Sequence, residues 1–322
     1  MNFFHNILAV IEYKQVRQPA LDRALALYQY AKAHKKNADI RITAVLPVAQ
    51  ENWNITSILA VDREEYERSY MDKLEKWLKA YLAINAMGVK IESRVLFSKE
   101  VGKEIVSLAK ELCADILIKT ADIHGVLDNV ISTPLDWQML RHAPIPVYIA
   151  KDQIFTPKGK IAVAVDLSEP DDELSRLTNL RLLREAQYLS TFTGCKIVMI
   201  NAVPPIIPPI AVDMPCFTPD SLYDESLKDS CHKALEFANR HKIKPDDCYI
   251  AEGAIDEVIL SKCEEIKPTA LFIGTSARRG IASAILGNIC ERVAESIDCD
   301  VFVVTPKAVV RAVPTTTPSK SF

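Results

Sequence analysis

Apolar and polar positions along the chain follow two periods in turn. Apolar runs of strand length occur at Ile7–Ile11, Ile40–Val45, Lys90–Val95, Asp115–Lys119 and Val147–Ala150. They recur at Ile161–Val165, Lys196–Ala202, Cys248–Glu252, Ala270–Ile273 and Val301–Thr305. Most are continuous, as strands covered on both faces require. Between them the period changes to that of a helix. Leu21, Ala24, Leu25 and Tyr28 share one face, and Asp62 with Glu65 forms a capping box. Behind that box Tyr66, Tyr70, Leu74, Trp77, Leu78 and Tyr81 align. Leu227, Cys231, Ala234, Leu235 and Ala238 repeat the pattern in the second half. Five strands alternating with four helices, twice over, predict an α/β protein of two tandem, doubly wound, five-stranded parallel sheets.

The two halves are copies about 154 residues apart. "NILAVIEYKQ" at 6–15 matches "KIAVAVDLSE" at 160–169, which sets Glu12 opposite Asp166. "DILIKTA" at 115–121 matches "ALFIGTS" at 270–276, and "PIPVYIAKD" at 144–152 matches "DCDVFVVTPK" at 298–307. The expected boundaries are a first domain at 1–152, a joint at 153–159 with Pro157 and Gly159, and a second domain at 160–306. The remaining 307–322 ends in "AVPTTTPSKSF", which has no apolar periodicity and is expected to be disordered.

Composition narrows the function classes. Hydrophobic residues make up 49% and charged residues 25%, with a net charge of −3. The first 152 residues hold 20 basic and 19 acidic side chains, the rest 19 and 23, so neither half has the basic balance that nucleic acid binding favours. The longest uncharged stretch, "IVMINAVPPIIPPIAV", is broken by prolines and is not expected to span a membrane. "MNFFHNILAVIEYK" lacks a basic leader and a cleavage site, and is read as a buried strand rather than a signal peptide. The eight cysteines form no C-x-x-C pair, which fits reduced thiols and a cytoplasmic location.

In a doubly wound sheet the ligand crevice lies beyond the carboxyl ends of the strands, where strand order reverses. In the second copy this brings Asp166 next to "GTSARRGIASAILGNICERV" at 274–293. With "IAVAVDLSE" and "HAPIPVYIAKD", this stretch resembles the universal stress protein family in its tandem form, over both halves up to about residue 306. The ATP-binding branch carries G-x-x-G-x9-G-[ST] here. Gly274 matches the first glycine, Ala277 replaces the second, Gly287 matches the third, and Asn288 replaces the hydroxyl residue.

The resemblance implies a nucleotide site, with ATP as the cofactor, in the second domain only. Asp166, Val203 and Ile273 would meet the nucleoside. Gly274, Ala277, Arg278, Gly287, Asn288 and Ile289 would face the phosphates through the loop and the start of the helix. Glycines allow close approach of peptide N–H groups, and a helix start beyond Gly287 would add unpaired donors. An alanine held in the left-handed region at 277 would cost on the order of 1 kcal/mol. Two other readings stay open: glycines that only shape turns, and a different ligand.

The first copy is expected to be plugged. Lys119 stands at the first glycine position, Ser132 and Thr133 at the Gly-Asn position, and Glu12 in place of aspartate. Thr133, Pro134 and Asp136 cap a helix internally and leave no donors for an anion. In the second copy the proline-rich stretch 201–220 either covers the sheet or the other domain, or walls an apolar pocket for a lipid-like molecule.

No metalloprotease, nucleophile-elbow or Walker pattern occurs, and catalysis is not expected. His232 is read as a surface histidine, and Asp171-Asp172 and Asp246-Asp247 as turn or helix-start residues. The resemblance further implies stress survival, including resistance to DNA damage. It also implies self-association along the last strands, here within one chain as a pseudo-dimer, with a homodimer as a further step.

Overall fold

The computed structural model describes residues 4–34, 39–50, 63–121, 139, 143–153, 156–169, 171–204, 219–275, 283–305 and 308–309, with backbone alone at 63, 219–226, 283–288 and 291. The chain divides into two compact units, Met1–Gln153 and Ile154–Phe322.

The first unit runs β1 (Asn6–Val10), α1 (Pro19–His34), β2 (Arg41–Ala49), α2 (Arg63–Asn85), β3 (Ile91–Ser98), α3 (Val101–Glu111), β4 (Ile116–Thr120) and β5 (Val147–Ala150). Its strands are parallel and ordered β3-β2-β1-β4-β5. The second unit runs β6 (Lys160–Val165), α4 (Glu173–Thr193), β7 (Lys196–Val203), α5 (Pro219–Arg240), β8 (Cys248–Glu252), α6 (Ile255–Ile266), β9 (Ala270–Gly274), α7 (Ser283–Ser296) and β10 (Asp300–Val304). Its strands are likewise parallel, ordered β10-β9-β6-β7-β8. Each unit therefore has the expected doubly wound order. Right-handed crossovers place α4 and α5 on one face of the second sheet and α6 and α7 on the other.

The continuous apolar runs are the buried strands. Leu8, Ala9, Leu117 and Ile118 in the first unit, and Ile161, Val163, Leu271 and Val303 in the second, are fully buried. Phe272 and Phe302 stack on adjacent strands with ring centres 4.6 Å apart. The strand β2 runs past the expected end at Val45 to Ala49. Pro47 suggests a stop, but β1 pairs with β2 only as far as Val45, so beyond it β2 has an edge that tolerates the missing donor.

Helix faces are narrower than the period alone suggests. On α2, Leu74, Leu78 and Leu82 enter the core, while the aromatic residues lie along its flank. There Trp77 stacks on Tyr81 and meets Tyr13 edge-on. Leu235 of α5 is exposed, though its neighbours Ala234 and Ala238 are buried. The Asp172 carboxylate caps α4 by accepting from the Ser175 N–H at 2.9 Å, and Gly194 closes that helix at φ 69°. Asp246 and Asp247 lie in a single 3-10 turn, Pro245–Asp247. Past β10, Ala308 and Val309 are helical and buried, and the Ala308 N–H donates to the Thr305 hydroxyl at 3.1 Å. Asp62 and Ser132–Asp136 lie outside the described residues, as does most of the 201–220 stretch.

Candidate functional site

The second sheet opens where its order reverses. β6 pairs with β7 as far as Val165–Asn201, but with β9 only as far as Val163–Phe272. β9 continues through Gly274 beside β10. The wedge left between β6 and β9 leads into a cleft of about 650 Å³, counting its open mouth.

Asp166, Ile273, Gly274 and Ile289, four of the residues expected from sequence, line this cleft together. Ile255 and Ile259 of α6, with Ile200 and Ala202 of β7, make much of its apolar wall. Ser175, Thr178 and Asn179 of α4 add a polar side, and Cys290 of α7 is also in the wall.

Asp166 follows the last residue of β6. Its Oδ1 accepts from the Ser168 hydroxyl at 2.6 Å and the Ser168 N–H at 3.1 Å, a local turn that fixes the carboxylate. Its backbone is gripped by Asn179, whose Nδ2 donates to the Asp166 carbonyl at 2.7 Å and whose Oδ1 accepts from the Asp166 N–H at 3.1 Å.

Gly274 has a packing reason to be glycine. A Cβ there would stand 2.5 Å from Thr178 Cγ2, too close without a shift of α4. The close approach is thus between a strand and a helix of the protein itself.

The remaining expected residues fall elsewhere. Val203 ends β7, half-buried, and its carbonyl accepts from the Gly253 N–H at 3.1 Å; it does not line the cleft. Gly287 and Asn288 belong to α7, but that helix opens at Ser283, not beyond Gly287. The good helix formers Ala284 and Leu286 extend it forward, and an interior glycine costs only about 1 kcal/mol. The unpaired N–H groups of the first turn therefore belong to the residues from Ser283 onward. Ala277 and Arg278 lie outside the described residues.

The matching place in the first unit carries a charged pair. Lys119, at the position of Gly274, is buried, and its Nζ lies 3.7 Å from Glu12 Oε1. The same ammonium donates to the Thr120 carbonyl at 2.9 Å. Glu12 is held as Asp166 is, here by Gln18: Nε2 donates to its carbonyl at 2.6 Å and Oε1 accepts from its N–H at 3.0 Å.

A second hollow, on the α4–α5 side of Asp166, has charged walls from Arg176, Lys233, Glu236 and Arg240 around Phe237. His232 is exposed on α5 with Nε2 3.5 Å from Glu236, a pair along one helix. Among the described residues no three His, Cys, Asp or Glu side chains form a metal-binding group. No described helix is long and apolar enough to cross a membrane. Seven cysteines are described, all as free thiols.

Sequence reading missed Asn179, Gln18 and the α6 wall. The amide residues sit at different distances from their acids, so no motif marks them. Ile255 and Ile259 lie four apart on an apolar helix face, a signal present but indistinct from core packing.

The profile of the Universal stress protein family matches residues 3–151 and again 159–305. Universal stress protein E of Photorhabdus laumondii is 32% identical over 309 residues, covering 94% of this chain and 95% of its own. The protein of that name from Escherichia coli K12 is 31% identical over 312 residues, covering 95% of each. Among solved structures, a Pseudomonas aeruginosa PAO1 protein of unknown function shares the fold at TM-score 0.70 and 21% identity, over 96% of this chain and 95% of its own. A universal stress protein from Archaeoglobus fulgidus does so at TM-score 0.64 and 17% identity, over 94% and 98%.

Proposed function

The chain belongs to the universal stress protein family, and on that premise we propose that it works by binding a small ligand, without turnover, in the cleft of its second domain. The ligand class the residues suit best is an adenine nucleotide such as ATP. Asp166, Ile273, Gly274 and Ile289 meeting in one cleft where β6 and β9 part is the observation that carries this reading. A carboxylate at the mouth suits the paired hydroxyls of a ribose, and isoleucine walls suit a flat base. The phosphates are assigned to the segment containing Ala277 and Arg278 and to the first turn of α7 from Ser283, in place of Gly287 and Asn288. The biological role proposed is cytoplasmic support of stress survival, including resistance to DNA damage.

The test is ligand-dependent thermal stabilisation by ATP and by adenosine. Asp166→Asn should weaken both, whereas Arg278→Ala should weaken ATP alone. No shift with either ligand at saturating concentration would remove the nucleotide reading.

The isoleucine wall also favours a second reading, an apolar small molecule in the same cleft. Mass spectrometry of the denatured, purified protein checks it: a retained lipid-like molecule supports this reading, and a retained nucleotide the first.

A further inference from the structure

In both units the first strand ends in the same way. The chain leaves the fourth strand first and the second strand afterwards: β1 pairs with β4 through Ala9–Ile118 and with β2 through Val10–Val45. β6 parts in the same sequence, from β9 after Val163 and from β7 after Val165. A strand that stops here exposes a buried peptide N–H and C=O that need partners.

In each unit one side-chain amide supplies both. Asn179 gives a donor to the Asp166 carbonyl and an acceptor to its N–H, at 2.7 and 3.1 Å. Gln18 does the same for Glu12 at 2.6 and 3.0 Å. Asparagine and glutamine carry a peptide-like pair of donor and acceptor, so each can stand in for a neighbouring strand. Both are almost fully buried, Asn179 at 3% and Gln18 at 1% exposure. They reach the acid from different places: Gln18 just before α1, Asn179 within α4. The device is shared although the sequence positions are not.

We propose that Asn179 is a positioning residue of the second-domain site: by replacing a strand partner it ends β6, keeps β6 and β9 parted, and fixes Asp166 at the mouth of the cleft. Only its consequence for ligand affinity rests on the nucleotide reading above. The clamp itself is measurable without ligand.

Hydrogen exchange of the full-length protein, resolved at single amides, tests it with Asn179→Leu and Asn179→Asp. In Asn179→Leu the Asp166 amide should exchange about tenfold faster, while Val165 in the β6 ladder stays protected. Asn179→Asp keeps an acceptor for the Asp166 N–H but loses the donor to its carbonyl. It should retain most of that protection, and it serves if the leucine variant does not fold.

With adenosine as the probe, both variants should bind several-fold more weakly than wild type, because the backbone that carries the carboxylate is no longer held at both its N–H and its carbonyl. Unchanged exchange at Asp166 in the leucine variant would overturn the clamp. Faster exchange with unchanged adenosine affinity would overturn the positioning role. If wild type binds no adenosine, the nucleotide reading fails and the exchange data alone decide the clamp.

Discussion

Lys119 Nζ lies 3.7 Å from Glu12 Oε1, at the place where the second domain has Gly274 and Asp166. The two departures from the second copy are thus coupled: a buried lysine stands where the glycine does, and the longer acid meets its charge. The Lys119 side chain is 3% exposed and that of Glu12 27%. Glu12→Gln therefore leaves a buried cation with less compensation, a loss of roughly 2 to 4 kcal/mol. Adding Lys119→Met should recover most of it, because the charge needing a partner is gone. Urea denaturation of both single variants and the double variant checks this. Simple additivity of the two losses would show that the pair is not coupled.

Gly274 is explained by Thr178, and the contact can be relieved from either side. Gly274→Ala puts a methyl against Thr178 Cγ2 and should cost about 1 to 3 kcal/mol. Thr178→Ser removes that methyl while keeping the hydroxyl that donates to the Leu174 carbonyl at 2.8 Å. The double variant should be more stable than Gly274→Ala alone. If Thr178→Ser gives no relief, the glycine is required for another reason, such as ligand approach.

How much of this was legible depended on whether the signal was local. Most strands were visible because a strand buried on both faces is a continuous apolar run, as at Leu271–Ile273, whereas the half-buried edge strands β3 and β8 were read from shorter mixed runs. Asp166 and Gly274 were visible as a site because the fold rule places the ends of β6 and β9 together. The Glu12–Lys119 pair was not, since 107 residues separate them and each looks ordinary alone. The start of α7 was misplaced because a glycine reads as a boundary, whereas Ser283 through Leu286 already favour helix. The amide clamps carry no fixed spacing, and only the endings of β1 and β6 reveal them.

Arg292 of α7 and Asp256 of α6 are 2.7 Å apart, joining the two helices whose isoleucines wall the cleft. The Asp256 side chain is 12% exposed and Arg292 59%, so the pair is anchored at one end only. Arg292→Ala should cost about 1 kcal/mol, at the upper range for surface pairs because the acid is mostly buried. On the binding role proposed for this cleft, the loss should also weaken adenosine binding, because α6 and α7 both line it. Unfolding at low and high salt checks the first part: wild type should lose part of this increment at high salt, and the variant should not.

Alkaline pH should reveal Cys263. Burial on α6 pushes its thiol up to about 12, from an ordinary value of about 9. Above that ordinary value the unfolded chain releases a proton that the folded chain keeps, so the unfolded state is favoured as pH rises. Stability from this group is complete below pH 9 and declines through the window up to 12, by at most about 1.4 kcal/mol per pH unit. Cys248, raised by burial and by Asp247, adds to the slope from about pH 9, and Tyr70 and Tyr81, also raised by burial, from about pH 10 upward. Whatever its own cost in packing, Cys263→Ala should therefore make the stability curve shallower between pH 9 and 10, with Cys248 supplying what slope remains. Urea unfolding of both proteins across that range checks the slope, and equal slopes would mean that the thiol does not titrate differently on folding.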